Sequence, residues 1–169
     1  VHAIAAGDMP GAAKILRSAN PLPAICGRVC PQEVQCEEQC SVGIRFKPVA
    51  IGYLERFVAA WEMQQAPIEI TNKLDRAEKV AIIGSGPAGL VCAGELARLG
   101  HPVTIFEALH APGGVLRYGI PEFRLPKDVL DWEIEQLKRL GVEIVCNMII
   151  GKTITIDELF GEMGYSAVF

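Results

Sequence analysis

Two stretches of the chain carry residues whose types and spacing could do chemistry: a group of cysteines near the amino end and a glycine-rich turn in the middle. The cysteines stand as C-x3-C-x5-C-x3-C within fifteen residues and account for four of the six in the chain: Cys26, Cys30, Cys36 and Cys40. Thiolates at close spacing are typical ligands of zinc or of an iron–sulfur cluster. Glycines let a backbone approach a phosphate group closely.

The cysteine spacing leaves more than one kind of site open. Disulfides are disfavoured, because nothing in the sequence indicates an oxidising compartment. Zinc sites usually carry tighter C-x2-C pairs, whereas an iron–sulfur cluster suits a compact cysteine loop with a proline, here Pro31, beside a ligand. Buried structural thiols are the remaining alternative. The spacing alone therefore leaves zinc and iron–sulfur equally open.

The glycine-rich stretch predicts a dinucleotide-binding turn between a strand and a helix. Val80 to Ile83 is short, apolar and β-branched, as expected of a strand that is covered on both faces of a parallel sheet. In the Gly-x-Gly-x-x-Gly that follows, Gly84 permits the tight turn, Gly86 lets the backbone approach a pyrophosphate, and Gly89 lets the helix pack on the strand. The predicted helix, Ala88 to Leu99, would point its first amides at the phosphates.

An acidic residue and a second glycine loop complete this unit. The next β-rich run, Pro102 to Phe106, ends in Glu107, 23 residues after Gly84. A carboxylate at that place can accept the ribose hydroxyls of an adenosine. Gly113 and Gly114 then allow another close backbone approach to the same cofactor. The strand, the turn, the helix and the acidic residue occur in the order and at the spacing of a dinucleotide site. This favours such a site over an ordinary turn whose glycines serve packing alone.

The other periodic segments predict the elements that position these residues. A helix from Lys47 to Gln64 carries four large apolar residues at every fourth position, which predicts a core stripe that packs against the cysteine loop: Val49, Tyr53, Phe57 and Trp61. Glu55 lies off that stripe beside Arg56, where a solvated ion pair is the default interpretation. Further helices are predicted over Met9 to Ala19, Lys127 to Leu140 and Ile156 to Met163, and a third strand over Val142 to Cys146.

Composition excludes several function classes. The 169 residues are 50% hydrophobic and 21% charged, enough for a real core in one domain with a smaller appendage. A net charge of −4 without a basic stripe argues against a nucleic-acid surface. No apolar run approaches the roughly 20 residues that span a bilayer, and no secretion signal is present, so we expect a cytoplasmic protein. Because the chain begins at Val1 and stops in an apolar run, we also expect a piece of a longer protein.

Three segments together resemble one known family. They are CGRVCPQEVQCEEQC at residues 26–40, VAIIGSGPAGL at 80–90 and GGVLRYGIPEFRLPK at 113–127. They resemble the small, NADPH-oxidising subunit of bacterial glutamate synthase, whose architecture recurs in the amino-terminal part of dihydropyrimidine dehydrogenase and in the large subunit of NADH-dependent ferredoxin:NADP oxidoreductases. The resemblance covers nearly the whole chain, and its most specific feature is the pairing of the first segment with the third.

The resemblance implies that the glycine motif holds FAD and that NAD(P)H binds a further unit downstream, which is missing here. Six residues would surround the FAD pyrophosphate, an acid would lie on the ribose, and two residues of the second glycine loop would lie near the cofactor. An arginine would approach the phosphates or the ring, and an isoleucine the adenine side. The six pyrophosphate residues are Gly84, Gly86, Pro87, Ala88, Gly89 and Leu90. The acid is Glu107, the two loop residues are Gly114 and Val115, the arginine is Arg124 and the isoleucine is Ile150.

The resemblance also implies two [4Fe–4S] clusters built from two separated cysteine groups, of which this chain has only the second. Cys30, Cys36 and Cys40 match ligand positions, and Cys26 matches a cysteine that does not ligate iron in every member. Glu55 matches the place of a non-cysteine ligand, Gln or Glu. Without the upstream group one cluster cannot be completed, and Cys40, which could pair with that group, would be left without its iron.

These features predict an α/β protein with an all-helical iron–sulfur domain at residues 1–70, a linker at 71–78, and a Rossmann-like FAD-binding domain with a parallel sheet, incomplete at its carboxyl end, at 79–169. The predicted function is part of an NAD(P)H-dependent oxidoreductase that passes electrons through FAD and [4Fe–4S] clusters to a larger catalytic or electron-accepting partner. No catalytic side chain is predicted. One alternative is a zinc-stapled docking or regulatory module without redox turnover, and another fills the Rossmann unit with NAD.

Overall fold

The computed structural model describes residues 1–65 and 75–169. The end of the predicted first domain and the first part of the predicted linker lie outside the described residues. The chain divides into two compact units. Within the described residues, the first unit comprises 1–65 and Glu122–Val129, and the second comprises 75–121 and Leu130–Phe169. The domain limits taken from the sequence stay a prediction.

The first unit is built from helices. The α-helices of its amino-terminal part are α1 (His2–Ala5), α2 (Met9–Ala19), α3 (Pro23–Val29) and α4 (Ile51–Glu62), and two short 3-10 helices cover Gln32–Val34 and Ser41–Ile44. Asp8 caps α2, because its carboxylate accepts the backbone N–H of Gly11 at 2.9 Å. The predicted helix from Met9 to Ala19 is therefore confirmed.

Helix α4 packs against both α2 and α3. Ala12, Ala13 and Val58 form a buried apolar cluster between α2 and α4. Beside it, Arg17 donates through Nε to both carboxylate oxygens of Glu62 at 3.0 Å. This bifurcated, charge-assisted hydrogen bond joins the two helices at the edge of the apolar contact.

The predicted inner face of α4 was wrong at Tyr53 and Phe57, although Trp61 of the same stripe packs against the buried cluster. The helix begins at Ile51 rather than Lys47, and Tyr53 and Phe57 are 73% and 54% exposed. Its buried residues are small or medium-sized: Gly52, Val58 and Ala59. The physical reason is the close approach of α3, since a Cβ on Gly27 would lie 2.6 Å from the backbone nitrogen of Arg56. At Gly27 the backbone of α4 itself therefore forms the contact with α3, and Tyr53 and Phe57 lie at exposed positions of α4.

The second unit is a parallel sheet with helices. The strands are β1 (Val80–Ile83), β2 (Val103–Phe106), β3 (Glu143–Val145) and β4 (Ala167–Val168), in the order β3-β2-β1-β4. Every pairing is parallel. The later helices are α5 (Pro87–Arg98), α6 (Val115–Tyr118), α7 (Lys127–Arg139) and α8 (Ile156–Gly161), and α7 belongs to this unit from Leu130 onward. The predicted α/β class with a parallel sheet is confirmed.

The core of the second unit lies around β1 and β2. Ile82, Leu90, Ile105 and Leu137 are almost fully buried, as expected for central parallel strands that are covered on both faces. A second cluster forms at one side of the sheet, where the rings of Phe106 and Tyr165 meet edge to face with centroids 5.9 Å apart. None of the helices in the described residues is long and apolar enough to span a membrane.

Candidate functional site

The glycine motif lies where β1 ends and α5 begins. Gly84 has φ +99°, a left-handed conformation that favours glycine, and its N–H donates to the carbonyl of Phe106 at 2.8 Å. Gly86 is the N-cap of α5, and Pro87 occupies the first position of that helix. The first amides of a twelve-residue helix therefore open at the carboxyl edge of the sheet, where parallel folds bind their ligands.

The three motif glycines are required for different reasons. A Cβ on Gly89 would lie 2.1 Å from the carbonyl oxygen of Gly84, so a side chain there would separate helix from strand. Gly84 is required by its positive φ. Gly86 has an ordinary φ of −69°, and an added Cβ would meet no protein atom within 4 Å. The chain's own packing does not explain Gly86, whereas a bound pyrophosphate that approaches its backbone does.

The other residues predicted around the pyrophosphate differ in exposure. Pro87 and Ala88 are exposed at the start of α5. Leu90 is fully buried, and its N–H donates to the carbonyl of Gly86 at 2.9 Å. The side chain of Leu90 therefore fills the core, and its predicted contact with the cofactor stays a prediction.

The second glycine loop lies directly against the first. A Cβ on Gly114 would come within 2.9 Å of the Cα of Gly86, and the N–H of Gly113 donates to the hydroxyl of Ser85 at 2.9 Å. Val115 follows at the start of α6 and is 57% exposed. The structure therefore brings Gly86, Gly114 and Val115 together, as a common cofactor contact requires.

Glu107 lies at the end of β2 and is only 6% exposed. Its Oε2 accepts the N–H of Ser85 at 2.9 Å and the Ser85 hydroxyl, and its Oε1 accepts the N–H of Leu109 at 2.8 Å. Burial opposes the charge, but the hydrogen bonds from Ser85 and Leu109 outweigh it and lower the pKa of Glu107. At neutral pH the residue is an oriented carboxylate beside the glycine turn.

Ser85 was missed by the sequence reasoning. It is completely buried and connects the glycine turn, Glu107 and Gly113. Its only signal in the sequence is a hydroxyl at a variable position of the motif, which does not reveal partners 22 and 28 residues away.

Arg124 and Ile150 have other partners within their own units. Arg124 belongs to the first unit, where its Nη2 donates to the carbonyl of Val29 at 3.2 Å. Ile150 forms an isolated parallel bridge with Ile154 and packs against the Phe106 and Tyr165 cluster. Their predicted contacts with the flavin phosphates or ring and with the adenine stay predictions.

The cysteine loop follows the short helix α3. Cys26 lies within α3 and Cys30 caps its end, and both are half-buried, as is Cys40, whereas Cys36 is exposed. All six cysteines lie in the described residues and are free thiols. Backbone hydrogen bonds, first of all from Val49, lower the pKa of Cys40, which favours the thiolate that a metal needs.

A polar network lies beside Cys26. Asn20 donates through Nδ2 to Oε1 of Glu55 at 2.7 Å, and Gln32 donates through Nε2 to the Cys26 carbonyl at 2.8 Å. Burial raises the pKa of Glu55 and raises that of Cys26 to about 12. Glu55 is thus half-buried with Asn20 as its partner, and the expected solvated ion pair with Arg56 was wrong.

The donor set fits an iron–sulfur cluster in its chemistry. Four free thiols stand within fifteen residues, with a carboxylate beside one of them. Within the described residues, however, no three or more His, Cys, Asp or Glu side chains are gathered at one point as metal ligands would be. The assignment of Cys26, Cys30, Cys36, Cys40 and Glu55 as ligands therefore stays a prediction.

Two family models match the chain. Residues 1–67 match the family described as dihydropyrimidine dehydrogenase domain II, 4Fe-4S cluster. Residues 82–140 match an NAD(P)-binding Rossmann-like domain. The first match favours iron–sulfur over zinc for the cysteine loop. Both agree with the predicted cofactors, a [4Fe–4S] cluster and a dinucleotide at the glycine motif.

Curated relatives are similar over nearly the whole chain. The NAD-dependent dihydropyrimidine dehydrogenase subunit PreT of Escherichia coli O157:H7 is 47% identical over 92% of this chain and 38% of the relative. The glutamate synthase [NADPH] small chain of Escherichia coli (strain K12) is 39% identical over 94% and 33%. The NADP(+)-dependent formate dehydrogenase subunit beta of Moorella thermoacetica is 41% identical over 100% and 26%.

These relatives confirm the resemblance that the three sequence segments indicated. They are oxidoreductase subunits by name, and they include both the glutamate synthase small chain and a dihydropyrimidine dehydrogenase subunit. The chain spans only about a quarter to two fifths of their length.

Proposed function

We propose that this chain, which resembles the amino-terminal part of the glutamate synthase small subunit and its dihydropyrimidine dehydrogenase counterpart, is the iron–sulfur and FAD-binding part of an NAD(P)H-dependent oxidoreductase. The observation that carries the proposal is that relatives 39 to 47% identical align with 92% or more of the chain, and so with both units. An iron–sulfur region followed by a nucleotide-binding region supports an electron path in this chain like that of its relatives.

Each unit contributes a distinct part. When bound, FAD accepts a hydride and releases electrons singly, while an iron–sulfur cluster carries one electron at a time. The second unit's own residues bind the dinucleotide: the amides at the start of α5 face its phosphates and Glu107 orients its ribose. The first unit supplies thiolates from the cysteine loop. No side chain need move a proton.

The rest of the electron path lies outside this chain in the proposal. NAD(P)H would bind a further unit, and the electrons would leave to a larger catalytic or electron-accepting subunit or domain. A cytoplasmic location, predicted from the sequence, belongs to the same proposal.

A pair of glycine substitutions tests the dinucleotide site. Gly86→Ala and Gly161→Ala both place a methyl group where no protein atom lies within 4 Å, so neither should unfold the chain. With FAD bound, the methyl at residue 86 would crowd the pyrophosphate. We expect Gly86→Ala to weaken FAD affinity by about tenfold or more, since overpacking costs about 1–3 kcal/mol. The measurement is quenching of flavin fluorescence on titration of the full chain.

Gly161→Ala is the control, because it adds the same group to the same unit away from the glycine turn. It should bind FAD like the unaltered chain. Equal FAD affinity in Gly86→Ala and Gly161→Ala would contradict an FAD pyrophosphate at this turn.

A further inference from the structure

We propose that Ser85 is a positioning residue for the adenosine half of the cofactor. Its hydroxyl holds the ribose-binding carboxylate and the second glycine loop in place before the cofactor binds. The inference rests on the proposed FAD site and goes beyond it, because the motif Gly-x-Gly-x-x-Gly leaves the residue after its first glycine open.

One small side chain connects three segments that face the proposed ligand. Ser85 is fully buried within the glycine turn. Its hydroxyl donates to Oε2 of Glu107 at the end of β2 and accepts the N–H of Gly113 in the second glycine loop at 2.9 Å. Its own N–H donates to the same Oε2 at 2.9 Å.

The first consequence concerns the orientation of Glu107. The two donors of Ser85 fix Oε2, and the N–H of Leu109 fixes Oε1. The backbone of Ala108 also stabilises the charge, so the carboxylate is held through both of its oxygens in one orientation before any ligand arrives. A carboxylate that is already oriented loses little side-chain freedom when the ribose binds. Ser85 thus acts on the ribose through Glu107.

The second consequence concerns the neighbouring loop. The hydroxyl of Ser85 is the acceptor for the buried N–H of Gly113. The next residue, Gly114, approaches Gly86 so closely that a Cβ would lie 2.9 Å from the Gly86 Cα. Without the hydroxyl, the Gly113 N–H would lose its partner and the loop would lose one anchor to the turn.

ADP and 2′-deoxy-ADP test this role with the full chain by calorimetry. ADP carries the ribose and pyrophosphate of the adenosine half but no flavin, and the second ligand lacks the hydroxyl that an acid at this position binds. We expect Ser85→Ala to weaken ADP binding by about tenfold, because Glu107 would no longer be held in its binding orientation before the ribose arrives. The affinity for 2′-deoxy-ADP should fall much less, so the preference for ADP should shrink.

Two further variants separate positioning from a merely structural role. Ser85→Thr keeps the hydroxyl and should retain most of the preference for ADP. Ser166→Ala removes an exposed hydroxyl from the same unit and should change neither affinity. If Ser85→Ala does not fold, as judged by circular dichroism, Ser85→Cys keeps the size with a weaker hydrogen-bonding group and should show the same reduced preference.

The outcomes also separate this inference from the proposed function. A Ser85→Ala chain that is less stable in urea but keeps the full preference for ADP would overturn the positioning role alone. Failure of the unaltered chain to bind either nucleotide would overturn the proposed FAD site, and the inference with it.

Discussion

The carboxylate of Glu107 is charged although only 6% of the residue is exposed. Burial alone would raise the pKa of this group, and the hydrogen bonds from Ser85 and Leu109 lower it instead. Since the pKa in the folded state is lower than in the unfolded state, ionised Glu107 stabilises the fold. That stabilisation is complete above the unfolded pKa of about 4.3 and is lost as the pH falls through the folded pKa.

We therefore predict that Glu107→Gln destabilises the chain at neutral pH and less so in acid. An amide nitrogen in place of a carboxylate oxygen would leave donors without an acceptor, at a cost of about 1–3 kcal/mol. Urea unfolding at pH 7 should show that loss, and the difference from the unaltered chain should shrink below about pH 4. Glu162→Gln, at an exposed position, is the control. A difference that stays constant from pH 7 to pH 3 would contradict the role assigned to ionised Glu107.

For single residues, the sequence predicted the features that depend only on neighbouring positions of the chain. The positive φ of Gly84 and the close packing at Gly89 follow from a motif of six residues, and both are present. Ser85 and its bonds could not be predicted, because its partners lie 22 and 28 residues away and meet it only when the sheet forms.

Helices α3 and α4 show how backbone contact decides the shape of the first unit. Gly27 of α3 faces the backbone of Arg56 in α4, at a place where a Cβ would lie 2.6 Å from N and 2.8 Å from Cα. Backbone atoms in a helix cannot move aside as a flexible side chain can. The contact between α3 and α4 therefore requires a residue without a side chain at position 27.

We predict that Gly27→Ala lowers the free energy of unfolding by about 1–3 kcal/mol, since overpacking forces the two helices apart. Gly43→Ala is the matched control in the same unit, because its Cβ would lie at an ordinary 3.4 Å from Pro48. Thermal unfolding followed by circular dichroism compares the two. Equal melting temperatures for both variants would show that α3 and α4 do not pack as described.

Element by element, periodicity predicted the second unit better than the first. The predicted strands and long helices of the Rossmann-like part match the structure within a residue or two. The reason is that turn residues separate each strand from the next helix along the sequence. In α4 the same reasoning failed at Tyr53 and Phe57, which were predicted as core and are exposed, while the buried residues are Gly52, Val58 and Ala59. A contact made by small residues leaves no hydrophobic stripe to detect.

Over the whole molecule, two units with separate cores stand in one chain that is similar to oxidoreductase subunits across its length. The composition and the glycine motif predicted the α/β class, and the relatives confirm the resemblance. The arrangement of the cysteines around iron could not be predicted, because the ligand geometry is set by the cluster as much as by the chain. The central claim is that this chain holds a flavin and at least one iron–sulfur cluster.

The most direct test is the visible absorption spectrum of the full chain, purified without oxygen, before and after dithionite. We predict a flavin double band over a broad brown shoulder, both of which bleach on reduction. A variant with Cys30→Ser and Cys36→Ser should lose the shoulder and keep the flavin band, whereas Cys92→Ser, outside the cysteine loop, should keep both. A colourless protein that contains zinc would contradict the account and favour a docking module without redox turnover.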